Sequence, residues 1–138
     1  MSALPVTAMP QAVHLAAPLA GLPGHDEFSL TALDDTGVLF ALRSIPADDE
    51  SIRLFVVTPT AFFPDYAPNV RADVRASIGA TDEAVATLVV VRPGEDGHAP
   101  TANLLAPLVL DPATGNAVQT VLDDDWPLRA PLGWSRAN

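Results

Sequence analysis

Cysteine and lysine are both absent from these 138 residues. The first absence excludes disulfides, thiolate-bound zinc and thiol nucleophiles. The second leaves seven arginines as the whole basic complement against seventeen Asp and Glu, a formal net charge of −10. With the abundant alanine, the missing lysine reads as coding bias and not as function. A surface this acidic repels phosphate backbones, so no direct contact with nucleic acid is expected. It would favour encounter with a basic protein partner, although charge alone fits plain solubility better. Aromatics make up only 6% of the chain, so the core must be built mainly from Val, Leu, Ile and Ala. No stretch approaches the roughly 18 apolar residues of a membrane span. The first residues lack the basic start of a secretory leader. The resulting expectation is a cytoplasmic protein that does not enter membranes.

What the chain has in quantity is punctuation. Fourteen prolines and eight glycines cut it into pieces short enough for strands and too short for long helices. With 49% hydrophobic residues it can bury one compact core. Residues 28–33 alternate apolar and small polar side chains, the period of a half-buried strand. Further strands are expected over 11–16, 38–42, 53–58, 85–92, 103–110 and 118–122. Pro107 should place its strand at an edge or a bulge. Turns are expected at 21–24, 34–37 and 111–116, and exposed loops over 46–51 and 93–98. One helix is expected near 70–78, because Val70, Val74 and Ile78 fall on one face and Gly79 follows where a helix commonly ends. Residues 81–84 suit one further helical turn. The fold class is mainly β: an antiparallel, barrel-like single domain with one or two short helices. The domain should span 11–132, with a disordered extension over 1–10 and a frayed tail over 133–138.

No phosphate loop, dinucleotide-binding glycine pattern, nucleophile elbow or zinc-protease helix occurs. His14, His25 and His98 are scattered near loops and strand ends, and a lone surface imidazole is the commoner state of such residues. The acidic runs at residues 48–50 and at Asp123, Asp124 and Asp125 lack the alternating ligand spacing of a calcium loop. Solvation is the ordinary state of consecutive carboxylates, with partner docking second. No metal or cofactor is expected. Phe62, Phe63, Asp65 and Tyr66 put three of the chain's eight aromatics into five residues. Such rings either plug a barrel end or anchor a partner. Phe62 or Phe63 should be core and Tyr66 partly exposed. Asn103 opens an apolar stretch and needs partners for its amide if buried; a structural role tying the preceding loop to the sheet is expected.

These same residues resemble a known family. Thr101-Ala102-Asn103-Leu104-Leu105-Ala106-Pro107-Leu108-Val109-Leu110 is similar to the signature strand of the FliW flagellar assembly factors. Residues 55–66, with Pro59 and Phe62-Phe63-Pro64-Asp65-Tyr66, resemble a second signature. Gly21-Leu22-Pro23-Gly24 and Pro127-Leu128-Arg129-Ala130-Pro131-Leu132 resemble a first and a last block in the family's order. Two positions depart: Thr58 stands where the family usually has Asp or Asn before the proline, and His25 where a Phe is usual. The resemblance implies a barrel-like fold, no enzymatic activity and two partners. One is flagellin, held before export. The other is CsrA, the RNA-binding repressor of flagellin synthesis, which free FliW would engage to relieve repression. The partner-binding candidates are Phe62, Phe63, Asp65, Tyr66, Asn103, Asp123, Asp124 and Asp125, on a chain expected to be a monomer. The alternative is a small-ligand-binding or enzymatic β-barrel. A deep polar pocket with two histidines, or His98 beside a carboxylate, would mark it.

Overall fold

The computed structural model describes residues 11–17, 19, 26–33, 35–45, 52–80, 85–94, 97, 99–123 and 125–132. Outside them lie the expected turn at 21–24, the expected helical turn at 81–84, the expected acidic loop over 46–51, His25, His98, Asp124 and the two terminal segments. Nine strands are described: β1 (Ala12–Leu15), β2 (Glu27–Ala32), β3 (Leu39–Ser44), β4 (Arg53–Val57), β5 (Ala86–Arg92), β6 (Thr101–Ala102), β7 (Leu108–Leu110), β8 (Asn116–Gln119) and β9 (Ala130–Pro131). Seven of them close a ring in the order β4-β3-β2-β1-β8-β7-β5, with β5 returning to β4. Every pairing in the ring is antiparallel except β1 with β8.

The alternation along the strands decides what the ring holds. Val13 and Leu15, Phe28 and Leu30, Phe40 and Leu42, Val56, Leu88, Leu108 and Leu110 all belong to one buried cluster, the interior of the barrel. Side chains one residue out of step point away from it. On most strands these are polar or exposed, such as Glu27 and Arg43. On β4 and β5 they are apolar: Val57 and Val89 belong to a second cluster with Phe63, Tyr66, Ala102, Leu104, Leu122, Trp126 and Ala130. The wall of the barrel is therefore covered on its outer side as well. This explains why β5 reads as an unbroken run of valines: both of its faces are buried.

The covering layer is built by chain that leaves the ring. β5 pairs with β7 through Ala86 to Leu88 and then with β6 through Val91 and Arg92, and β9 adds to the far side of β6. Of the strand expected over 103–110 only the last three residues, β7, are strand; the residues before them form a bend that separates β7 from β6. Asn103 makes the break. Its side-chain oxygen accepts from the backbone N–H of Leu105 at 3.1 Å and of Ala106 at 3.0 Å. An amide that caps its own chain in this way competes with the sheet ladder.

The single α-helix among the described residues, α1 (Ala72–Ser77), is shorter than the expected 70–78. It ends as expected at Gly79, with φ at +80°. The N–H of Gly79 bonds to the carbonyl of Ala76 and that of Ala80 to the carbonyl of Arg75, the paired closure of a left-handed helix end. Thr58 also has a clear role, since its hydroxyl donates to the carbonyl of Gly37 at 2.9 Å. A carboxylate at this position could not donate.

Candidate functional site

Pro59 opens a single 3-10 turn, Pro59–Ala61, its fixed φ suiting the first position and its missing N–H costing nothing there. The turn closes through bonds from the N–H groups of Phe62 and Phe63 to the carbonyl of Pro59. This geometry splits the aromatics. Phe63 is 2% exposed and Tyr66 5%, while Phe62 stays half-buried at the edge of the outer cluster. Tyr66 was expected to be partly exposed, and the structure corrects this. Its ring meets Trp126 edge to face at a centroid distance of 4.7 Å, and its hydroxyl donates to the carbonyl of Leu104 at 2.7 Å. Desolvation holds the phenol's pKa well above its ordinary value. The partner that buries Tyr66 lies sixty residues further on, and for this reason local sequence gave no sign of it.

Beside Phe62 runs an apolar groove on the outside of the barrel, about 400 Å³ in volume. Leu39, Phe55, Val57 and Val91 form its floor, and Pro93, Pro100 and Leu132 its rim. The floor follows from register, since Leu39 pairs with Val57 across β3–β4 and Phe55 with Val91 across β4–β5. The guanidinium of Arg53 stands 5.2 Å from the Phe55 ring centroid, a cation–π contact at the groove's edge. Of the residues singled out from sequence, Phe62 alone lines this groove. Phe55 and Val91 are further lining residues that sequence reasoning missed. Their signal was available, as apolar side chains on the outward phase of strands whose inward phase was already filled.

The other candidates are dispersed. Asp65 is exposed on the turn before Tyr66. Asp123 lies 3.7 Å from Arg71, which also pairs with Asp73 at 3.3 Å. Both contacts are at the surface, where such pairs contribute little. Asp125 is exposed. Asn103 is half-buried at its turn, holding residues 105 and 106 and not the preceding loop. His14 faces Glu27 across β1–β2 with Nδ1 and Oε1 2.6 Å apart, both half-exposed. Among the described residues no group of three His, Asp or Glu could hold a metal ion, and no helix is long and apolar enough to cross a membrane.

Comparison with known proteins bears on the same span. The sequence profile described as FliW protein matches residues 5–132. The chain is 35% identical over 118 residues to a flagellar assembly factor FliW of Syntrophotalea carbinolica, covering 83% of this chain and 81% of that one. It is 30% identical over 116 residues to one from Symbiobacterium thermophilum, covering 83% of each. Among solved structures, a crystal structure of the flagellar assembly factor FliW superposes with a TM-score of 0.77 over 88% of this chain and 85% of that one. At 22% identity that likeness speaks for the fold.

Proposed function

The chain belongs to the FliW family, and from that premise we propose that it serves flagellum assembly as a non-enzymatic regulatory binding protein of the cytoplasm. Its partners in this reading are flagellin and a CsrA-type RNA-binding repressor. Flagellin occupies the protein until export removes it, and the freed protein then engages the repressor and relieves its block on flagellin synthesis. The observation that supports a binding role is the apolar groove beside Phe62. An open apolar surface with a half-exposed aromatic is what a protein partner needs for a desolvated anchor. The acidic balance suits the second partner, because a repressor that grips RNA carries basic surface.

Calorimetric titration of the purified chain with monomeric flagellin and, separately, with the repressor tests the reading. Saturable one-to-one binding of each is the expected result. Failure to bind either one removes that partner from the proposal.

A further inference from the structure

A second, smaller cavity of about 160 Å³ lies away from the groove, lined by Val90, Arg92, Thr101, Asn103, Leu128 and Arg129. The sheet register brings these residues together. Arg92 pairs with Thr101 across β5–β6, and Ala102 with Ala130 across β6–β9. Side chains alternate, so Val90, Arg92, Thr101, Asn103 and Arg129 share one face of this three-stranded ribbon. Ala102 and Ala130 face the other way, into the outer core.

Its chemistry is unusual for this chain. Acidic residues outnumber arginines seventeen to seven, yet two arginines converge here. Among the described residues neither Arg92 nor Arg129 forms an ion pair, whereas Arg71 forms two. Both arginines are exposed and line the same small cavity, so an anion held there would meet two positive charges. The neutral groups present are donors too. Asn103 spends its side-chain oxygen on two backbone N–H groups, which fixes the amide's orientation and leaves Nδ2 without a hydrogen bond among the described residues. The Thr101 hydroxyl adds a further donor. Val90 and Leu128 supply apolar walls beside these donors.

We propose that this cavity is a docking site for a glutamate carboxylate presented by a partner protein. Arg92 and Arg129 supply the forked donors that match a carboxylate, Thr101 and Asn103 complete its coordination, and Val90 and Leu128 take the methylene stem. The net charge of −10 argues against a polyanion such as RNA, whereas a single carboxylate on an aliphatic stem meets little of that repulsion. The inference goes beyond the function proposed above, and neither flagellin nor a repressor is needed to see it.

The test is a nuclear magnetic resonance titration of the isotope-labelled full chain with N-acetyl-glutamate α-amide, against sodium chloride at matched ionic strength and against inorganic phosphate. The expected result is saturable shifts at the Asn103 side-chain amide and at the Nε–H groups of Arg92 and Arg129. Arg92→Gln or Arg129→Gln should weaken binding about tenfold, the factor that corresponds to about 1.4 kcal/mol. Arg43→Gln, on β3, should leave it unchanged. Asn103→Asp is the decisive variant. It retains the acceptor that the turn requires, so the melting temperature holds, but it puts a negative charge into the cavity and should abolish binding. Shifts no larger than those in sodium chloride overturn the proposal. So does tighter binding of phosphate than of the glutamate analogue, or unchanged affinity in both arginine variants.

Discussion

The phenolic oxygen of Tyr66 donates a 2.7 Å hydrogen bond to the carbonyl of Leu104, 38 residues further along the chain. It ties the aromatic turn after β4 to the segment that Asn103 bends out of the sheet. Tyr66 is the sole tyrosine of the chain, so tyrosinate absorbance reports on it alone. Burial raises its pKa above the ordinary value near 10. The folded state therefore keeps the phenol proton at a pH where the unfolded state releases it. Stability from this group is complete below pH 10 and declines as pH rises above it, toward the raised folded-state value. A spectrophotometric titration should show no tyrosinate until the protein unfolds in alkali. Tyr66→Phe should remove that signal and cost about 1–3 kcal/mol in urea denaturation, because the Leu104 carbonyl loses its donor.

Phe62 and Phe63 are neighbours with opposite expected phenotypes. Phe63→Ala empties a position in the outer core and should cost about 3–5 kcal/mol of stability. Phe62→Ala removes a half-buried ring from the groove. It should lower stability by less than half as much while weakening partner binding by more than about 1 kcal/mol. Thermal melts beside calorimetric titration with flagellin separate the two. Unchanged binding by the Phe62 variant would move the contact surface elsewhere.

Gly115 holds φ at +84°, and a Cβ there would run into the backbone oxygen of Ala12 on β1. Gly79 has nearly the same φ, +80°, but open space around it. Each Gly→Ala variant carries the left-handed strain of about 1–2 kcal/mol. Gly115→Ala should lose clearly more, because the N–H of His14 bonds to the Gly115 carbonyl at 2.8 Å and anchors the parallel seam of the barrel there. Chemical denaturation of both variants checks this, and equal losses would contradict it.

If the repressor is a partner, charge should speed their encounter. The association rate, followed by stopped-flow fluorescence, should fall as salt rises, since the attraction is screened over about 10 Å at 0.1 M. A salt-independent rate would remove the electrostatic contribution. At saturating RNA a ternary complex should persist, with each ligand weakening the other by the same factor. Strict mutual exclusion would show instead that the chain covers the RNA site.

Much of this fold was legible because period-two alternation survives in β2, because β3 and β4 are short apolar runs set off by turn residues, and because Gly79 marks a helix end by its own conformational freedom. The strand expected over 103–110 misled for an identifiable reason. Leu104 and Leu105 are apolar, and Leu104 is fully buried, so a turn packed against the outer core carries the hydrophobicity of a strand. β9 was invisible, being two residues long with a proline. The burial of Tyr66 depends on Trp126 and Leu104, contacts between segments far apart in sequence. The groove's floor was readable in kind, as outward valines and Phe55 on β4 and β5. The cavity between Arg92 and Arg129 was not, since it requires the register of three strands.

The parallel pairing of β1 with β8 has a consequence for how the molecule comes into being. β1, at Ala12–Leu15, leaves the ribosome long before β8, at Asn116–Gln119. At about 5–20 residues per second, β1 waits several seconds with one edge paired to β2 and the other open. Until Asn116 and Ala117 emerge to meet His14 and Leu15, that open edge is a template for any extended chain nearby. The nascent protein is thus vulnerable to misassembly until β8 emerges, and closure of the ring removes the hazard in one step.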